Sequence, residues 1–482
     1  MRSQIGSVRG WGSIAAIATL AGCAVNPATG AREFMLVSES QEIQMGAQSD
    51  PAVIAQFGLY PDSSIQQYVR GIGDGLAARS ERPQLPWTFR VVDDPLVNAF
   101  ALPGGYIYIT RGIMGYFNSE AELVSVVGHE IGHVTARHSA HQMSQQQLAQ
   151  IGLVAGAVLV PEVQEYLGIG AAALQLLFLK FSRDDEREAD DLGLRYMVRG
   201  DYDAREMPKV FAMLGRVSAA SGAERGLSWL STHPEPEDRE QRIAERLDTI
   251  PVSPSATVNR DGYMLRLHDM KYGVDPREGF FREQRFLHPD LRFRMDFPAG
   301  WNTRNMKQGV VGQSPQEDAI LQLTLAQEAS ALAAAQSFAV QEGVTAASPQ
   351  SHDVNGYPAA SLSFAAATEQ LTLRGLATYV EYGGLVYQLL GFTPEASWGT
   401  YDGVFRQSFS SFDRLTDASA LAVQPLRFSI IRTDRAMTLA QFNQRYRSQV
   451  SLETLALLNG VDSGTTIPRG TLVKRVVGGP LP

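Results

Sequence analysis

Two short segments, residues 129–133 and 186–190, constrain the fold of this chain more than any other feature. The first reads His-Glu-Ile-Gly-His and follows an apolar stretch, and the second reads Glu-Arg-Glu-Ala-Asp. Residues four apart share one face of an α-helix, so each segment predicts a helix with two ionisable side chains on one face. Because buried ionisable groups need partners, we expect the two helices to pack against each other.

The same residue types indicate a metal site. His129 and His133 can direct ring nitrogens at one ion, and Glu186 is the best candidate for a third ligand. Three such ligands leave one position of a tetrahedral Zn2+ open for chemistry, so the expected cofactor is Zn2+. Glu130 is a candidate catalytic residue, because it can take a proton from water. Asp190, the second candidate, is expected to orient His129 or His133 through the outer ring nitrogen.

The residues around the first segment favour a buried helix over a surface helix with scattered His and Glu. Five apolar residues lie between 121 and 127, and Ser119 followed by Glu122 predicts an N-cap with a capping box. Gly128 and Gly132 lower helix propensity. In an otherwise favourable helix they indicate close approach of another backbone, or access for metal or substrate.

The chain contains one cysteine, Cys23, so it can form no internal disulfide. Two arginines and a short apolar stretch precede it, and that stretch is too short for a membrane span. Leu-Ala-Gly-Cys at 20–23 resembles a bacterial lipobox. The resemblance implies that residues 1–23 are a lipoprotein signal peptide, with a lipid anchor at Cys23 in the periplasm, at the outer membrane because Ala24 follows. The alternative is an ordinary secretory signal with a chance cysteine.

Length and composition predict a multidomain α+β protein. A chain of 482 residues corresponds to about three domains. The net charge is −9, and the sequence has no stripe of basic residues with interleaved aromatic residues. Nucleic acid is therefore not an expected partner. Residues 24–250 are expected to form a mainly helical domain with a small β-sheet, which carries the metal site. Residues 251–420 predict an α+β domain of unknown role, and residues 425–482 a small separate module.

The final module resembles LysM. Its predicted order is strand, helix, helix, strand, with Leu-Asn-Gly at 458–460 and Pro-Arg-Gly at 468–470 as landmarks. LysM modules bind glycans that contain N-acetylglucosamine, so the resemblance implies peptidoglycan as a possible partner of residues 425–482. The segment 435–438 departs from the usual Gly-Asp-Thr opening. The alternative is a small interaction domain on the same scaffold.

Residues from about 27 to 248 resemble the gluzincin metallopeptidases that include HtpX, the CAAX prenyl proteases and the BepA-type periplasmic proteases. The matching motifs are Asn-Ala-Phe-Ala-Leu-Pro-Gly-Gly at 98–105, Thr-Arg-Gly at 110–112, the segment 129–133, and Thr-His-Pro at 232–234. The resemblance implies a zinc metalloprotease domain at 24–250. Beyond residue 250 the chain departs from the BepA type, which carries a helical-repeat domain there.

The resemblance also implies roles for individual residues. His129, His133 and Glu186 would hold zinc, and Glu130 would act as the base. The sequence around His233 leaves two interpretations open. It is either an ordinary core or surface histidine or a group near the metal. In the periplasmic relatives the matching histidine lies close to the zinc, so His233 is a possible latch that keeps the enzyme inactive at rest.

The expected function is hydrolysis of peptide bonds in misfolded or misassembled envelope proteins of the bacterial periplasm. The alternatives are an envelope-assembly chaperone or scaffold with latent protease activity, and a peptidoglycan-associated hydrolase. If the strand predicted at 105–110 is an exposed edge near the metal, it could bind substrate as an added β-strand. The apolar runs 151–160 and 171–179 are too short to span a membrane and are expected to pack over the site.

Overall fold

The computed structural model describes residues 23–153, 179–221, 229, 233, 236–367 and 371–479. Residues 1–22 of the predicted signal peptide and most of the apolar runs 151–160 and 171–179 lie outside these residues. Within the described residues, no helix has both the length and the apolar character that crossing a bilayer requires. The chain divides into two compact units, one formed by Met1–Tyr272 with Arg427–Val477 and the other by Gly273–Leu426 with Gly478–Pro482.

The first unit is mainly helical. Its α-helices are Glu39–Phe57, Ser63–Ala77, Arg111–Met114, Glu120–Ala136, His138–Leu153, Arg183–Arg199, Met207–Ser221, Pro236–Leu247, Arg260–Arg266, Leu439–Arg445 and Leu452–Asn459. Glu120–Ala136 is called the motif helix below, and Arg183–Arg199 the acidic helix. The predicted N-cap of the motif helix is confirmed, since Ser119 Oγ accepts a hydrogen bond from Glu122 N at 3.2 Å. The Glu122 carboxylate reaches one residue further back than a capping box, to Asn118 N at 2.6 Å.

A three-stranded sheet lies beside the motif helix. Tyr106–Thr110 is its central strand, paired in parallel with Thr88–Val92 and antiparallel with Ala99–Leu102. The condition that this strand be an exposed edge is therefore not met, because both of its sides are already hydrogen-bonded. The edge strand next to the motif helix is Ala99–Leu102.

The C-terminal segment of the first unit contains the predicted order of strand, helix, helix and strand. Its outer strands, Leu426–Arg432 and Leu472–Val477, pair antiparallel. The second helix begins after Ser451, whose side chain accepts from Thr454 N, and ends at Gly460 in a left-handed conformation. The remaining short strands of this unit are Cys23–Val25, Arg32–Phe34, Lys271–Tyr272, Met437–Thr438 and Thr466–Ile467.

The second unit is built on an eight-stranded antiparallel sheet. One face packs against the helix Ala331–Ala339 and the other against the helix Trp398–Ser410. The strands of this sheet are Asn302–Met306, Gly309–Gln313, Ile320–Ala326, Val344–Ala346, Gln350–Val354, Tyr357–Ala367, Thr372–Tyr382 and Leu385–Pro394. Gly383 and Gly384, both at positive φ, form the hairpin turn between Thr372–Tyr382 and Leu385–Pro394, and two adjacent glycines in the sequence are a typical signal for such a turn. The unit also contains the short helix Ala418–Leu421 and a four-stranded sheet, formed by Phe280–Arg282, Arg285–His288, Phe293–Asp296 and Asp413–Arg414.

Candidate metal centre

The motif helix and the acidic helix approach each other backbone to backbone. A Cβ atom added to Gly193 would lie 3.0 Å from His129 N, and one added to Gly132 would lie 2.9 Å from Ala189 O. Gly128 lies directly against Gly193. Of the two interpretations of the motif glycines, close backbone approach is confirmed. The contact sets the two carboxylates of the acidic helix opposite the two histidines of the motif helix.

Four donors converge between these helices. His129, His133, Glu186 and His233 each offer one ligand atom, and these atoms all lie within 4.8 Å of one another. Nε2 of His129 is 3.0 Å from Nε2 of His133 and 3.3 Å from Nδ1 of His233. Oε1 of Glu186 is 2.8 Å from Nδ1 of His233 and 3.5 Å from Nε2 of His133. The structure thus brings together all three predicted ligands and adds His233, which sequence alone left open.

The charges in this cluster suit a cation. Burial lowers the pKa of His133 well below its ordinary value, which keeps its ring neutral. Burial alone would raise the pKa of Glu186, but the charges of His233 and Arg239 outweigh it and hold that pKa well below its ordinary value. Among the described residues, Oε2 of Glu186 accepts no hydrogen bond although it is buried. Imidazole nitrogens with a carboxylate oxygen are donors that zinc prefers, so the residues present fit this ion.

Asp190 and Arg239 fix the geometry behind the cluster. Oδ1 of Asp190 lies 2.9 Å from Nδ1 of His129, so the structure assigns Asp190 to His129 rather than to His133. Arg239 donates to both carboxylate oxygens of Asp190, from Nε at 2.8 Å and from Nη2 at 2.6 Å. Its Nη1 is 2.8 Å from Oε2 of Glu186 in an ion pair without hydrogen-bond alignment. Burial would raise the pKa of Asp190, but Arg239 and His129 outweigh it and lower that pKa.

Glu130 lies at the side of the cluster. It is fully buried, and its Oε1 accepts a hydrogen bond from Trp229 Nε1 at 3.4 Å and lies 3.5 Å from His233 Nε2. Its Oε2 has no hydrogen-bond partner within the described part of the chain. A buried carboxylate with one unengaged oxygen beside this group of converging donors is placed to accept a proton.

Trp229 connects several parts of the site. Its ring stacks on His233 with a centroid distance of 4.6 Å, and the guanidinium of Arg239 lies 4.6 Å from the same ring. Its backbone N–H donates to Val97 O at 2.9 Å, just before the edge strand, and its carbonyl accepts from His233 N at 2.9 Å. Trp229 therefore holds His233 and Glu130 in place together.

The sequence did not single out Arg239 or Trp229. Arg239 lies on the charged helix Pro236–Leu247, and its distance of four residues from the buried Ile243 indicates an inward face. Trp229 lies four residues before His233, which is the spacing of one helical turn. These two spacings indicate only how each residue is oriented on a helix. They do not identify the residues that Arg239 and Trp229 contact on other elements.

The site and its two-helix frame fit a zinc-dependent metallopeptidase, and the model of peptidase family M48 matches residues 63–247. This range contains all the predicted site residues. The chain belongs to peptidase family M48. M48 metallopeptidases depend on zinc, and the buried group of three histidines and a glutamate fits that ion.

Individual relatives cover the same region. The mitochondrial metalloendopeptidase OMA1 of Schizosaccharomyces pombe is 31% identical over 242 residues, which are 49% of this chain and 68% of that one. The mitochondrial metalloendopeptidase OMA1 of Arabidopsis thaliana is 34% identical over 185 residues, 38% of this chain and 36% of that one. The beta-barrel assembly-enhancing protease of Escherichia coli (strain K12) is 30% identical over 222 residues, 44% of this chain and 45% of that one. The chain thus spans less than half the length of the latter two relatives.

Proposed function

We propose that this chain is a zinc metalloendopeptidase in which His129, His133 and Glu186 hold the metal and Glu130 is the general base. The observation that carries the proposal is the buried, unengaged Oε2 of Glu130 beside the cluster, within the described residues. When bound, zinc supplies Lewis acidity that polarises a carbonyl and lowers the pKa of water. Glu130 accepts the proton of the attacking water and delivers it to the leaving amine.

The supporting residues have separate tasks in this scheme. Asp190 accepts the Nδ1 proton of His129, so the Nε2 lone pair of that ring faces the metal. Arg239 balances the charges of Asp190 and Glu186 and holds both carboxylates on the acidic helix in place. Asp190 and Arg239 are therefore positioning residues.

We further propose that substrates bind as extended segments along the edge strand Ala99–Leu102. An edge strand can pair with an added chain through main-chain hydrogen bonds, which favours unfolded segments over a fixed sequence. The name of the Escherichia coli relative, a beta-barrel assembly-enhancing protease, supports misassembled envelope proteins as the substrate class. A periplasmic location with a lipid anchor at Cys23 follows the lipobox resemblance of residues 20–23.

The position of His233 supports a resting enzyme of low activity. Its Nδ1 lies among the atoms of the three proposed ligands, so it can act as a fourth donor. A zinc ion with four protein ligands has no open position for chemistry. We propose that displacement of His233 activates the enzyme.

The decisive test is Glu130→Gln in the full chain. The variant is expected to bind zinc as the wild type does and to lose cleavage of unfolded casein, because an amide cannot accept the proton. Zinc content is measured by atomic absorption and cleavage by gel electrophoresis. The exposed Glu453→Gln serves as the control and is expected to behave as the wild type. A Glu130→Gln variant that cuts casein at the wild-type rate would contradict the catalytic assignment.

A second experiment separates the alternative functions. Purified peptidoglycan and an unfolded outer-membrane protein are digested side by side with the wild type and Glu130→Gln. The strand, helix, helix, strand order of residues 425–482 supports the peptidoglycan alternative. Glu130-dependent release of muropeptides would favour it, whereas cleavage of the protein alone would favour the endopeptidase. Improved folding of the outer-membrane protein by Glu130→Gln, with neither substrate cut, would favour a chaperone or scaffold.

A further inference from the structure

The two histidines of the motif helix have different neighbours at their outer ring nitrogens. Nδ1 of His129 faces a carboxylate of Asp190, whereas Nδ1 of His133 faces Nδ1 of His138 at 2.9 Å. His138 is 2% exposed and begins the next helix. In the part of the chain that the structure describes, the cluster of converging donors does not include His138. His138 therefore lies behind a proposed ligand rather than on the metal side.

Metal ligation fixes the direction of the contact between these two rings. A histidine that binds metal through Nε2 carries its remaining proton on Nδ1. His133 must then donate to Nδ1 of His138, and His138 carries its own proton on Nε2. That Nε2 is 3.6 Å from Oε2 of Glu188 and 3.7 Å from Oδ1 of Asp185, both on the acidic helix. The ring of His138 thus lies between His133 and two carboxylates, which its Nε2 approaches at ion-pair distance without hydrogen-bond alignment.

Glu188 is held from its other side by Asn26. Nδ2 of Asn26 donates to Oε1 of Glu188 at 3.0 Å and to Oε1 of Glu33 at 2.9 Å. Asn26 is fully buried, and its Oδ1 accepts from Ala28 N at 2.9 Å, which fixes the side chain in a turn. Burial alone would raise the pKa of Glu188, but His138 and Asn26 outweigh it and lower that pKa.

Asn26 belongs to a hairpin at the start of the described chain. The hairpin consists of the paired strands Cys23–Val25 and Arg32–Phe34, and Asn26 begins the turn between them. Immediately after the hairpin, Met35 and Val37 pack on Ala140 of the helix that His138 begins. The hairpin is therefore fixed both to the helix of His138 and to the acidic helix.

We infer that His138 is a positioning residue for His133, and that Asn26, acting through Glu188, lets the N-terminal hairpin contribute to the affinity for zinc. A ligand histidine binds metal more tightly when its outer nitrogen has a fixed acceptor. The inference rests on the proposed function, because it requires His133 to be a ligand. It adds to that function a chain of contacts from the hairpin to the metal centre.

The test is the zinc dissociation constant of the full chain, measured by competition with a chromogenic chelator. His138→Leu removes the acceptor and is expected to weaken binding by about 10–100-fold. His138→Asn places an amide oxygen near the position of Nδ1 and is expected to restore most of the affinity. Thermal unfolding of the zinc-free proteins checks that the variants fold. Wild-type affinity in a folded His138→Leu variant would overturn the inference.

A second pair of variants keeps the test decisive if His138→Leu does not fold. Glu188→Gln keeps the shape of its side chain, and Asn26→Ala removes the donor to it. Each is expected to weaken zinc binding, and the double variant is expected to be no weaker than Glu188→Gln alone, because the effect of Asn26 passes through Glu188. Independent, additive losses would overturn the role of Asn26. Asp184→Asn, whose side chain is 95% exposed on the same helix, is the control.

The outcomes also distinguish this inference from the proposed function. A folded wild-type chain that binds no zinc would overturn both. In another outcome, the wild type binds zinc, His133→Ala does not, and His138→Leu and Glu188→Gln bind it as tightly as the wild type. This outcome would leave the proposed function intact and overturn only the inference.

Discussion

At the scale of single residues, His233 raises the number of side chains that could bind the metal from three to four. Its Nδ1 is 2.8 Å from Oε1 of Glu186 and 3.3 Å from Nε2 of His129. Catalytic zinc sites have three protein ligands and structural sites have four. The chain therefore has the donors for a closed site, and removal of one converts it to an open site.

We expect His233→Ala to raise the basal rate of casein cleavage several-fold and to weaken zinc binding, since a donor is lost and the fourth position becomes available. Cleavage is measured with a fluorogenic casein and zinc affinity by chelator competition. His352→Ala, an exposed histidine of the second unit, is the control. Unchanged or lower cleavage by a folded, zinc-loaded His233→Ala variant would count against the latch.

The residues of the metal centre were predictable to different degrees. His129 and His133 follow from the spacing of one helical turn, and Glu186 from a second helix with the same spacing. The roles of Trp229 and Arg239 depend on which elements pack together, which no local pattern encodes. The assignments of the ligands and of Glu130 stay predictions until the variants are measured.

At the scale of elements, the contact between the motif helix and the acidic helix determines the geometry of the site. A Cβ atom on Gly193 would come within 3.0 to 3.2 Å of backbone atoms of Gly128 and His129. Backbone atoms of a packed helix cannot move aside as a flexible side chain can. Any side chain at this position must separate the two helices.

We expect Gly193→Ala to destabilise the protein by about 1–3 kcal/mol, because overpacking outweighs the gain of up to about 1 kcal/mol in helix propensity. Zinc affinity should fall as well, since Glu186 moves away from the histidines. Gly71→Ala is the matched control: a Cβ atom there meets nothing within 4 Å, so it should stabilise the helix Ser63–Ala77. Urea unfolding measures both, and equal stabilisation by the two substitutions would contradict the prediction.

The sheet shows where prediction from sequence stops. The β-branched and aromatic residues of Tyr106–Thr110 predict a strand, and the structure confirms it. Its central position results from parallel pairing with Thr88–Val92 and antiparallel pairing with Ala99–Leu102. Strand order is decided by such long-range pairing, so the sequence left open whether the strand at 105–110 lies at an edge, and the structure places it at the centre.

At the scale of the whole molecule, the C-terminal segment of the first unit supports the metal centre. Lys474 on the strand Leu472–Val477 is fully buried, and its Nζ donates to Gly115 O at 2.9 Å and to Phe117 O at 2.8 Å. Both carbonyls lie in the turn that precedes the motif helix. The sequence predicted the elements of this segment from local signals, but not the packing of Lys474 on that turn.

We expect Lys474→Met to destabilise the first unit by about 3 kcal/mol, because two buried carbonyls lose their side-chain donor. The thermal midpoint for loss of zinc binding should fall accordingly. Arg475→Met removes the neighbouring, partly exposed charge and serves as the control. If the two variants unfold at the same temperature, the support from Lys474 is negligible.

The backbone hydrogen bond from Trp229 N–H to the Val97 carbonyl bears on which substrates the site could accept. The same residue contacts the end of the edge strand, the proposed base and the proposed fourth donor. An incoming extended chain that lengthens its pairing towards Val97 competes with Trp229 for one carbonyl. Loss of that contact loosens the support of Glu130 and His233 together. In the proposed mode of binding, only a substrate long enough to reach Val97 would disturb Trp229, so cleavage of unfolded peptides of increasing length would test whether length matters.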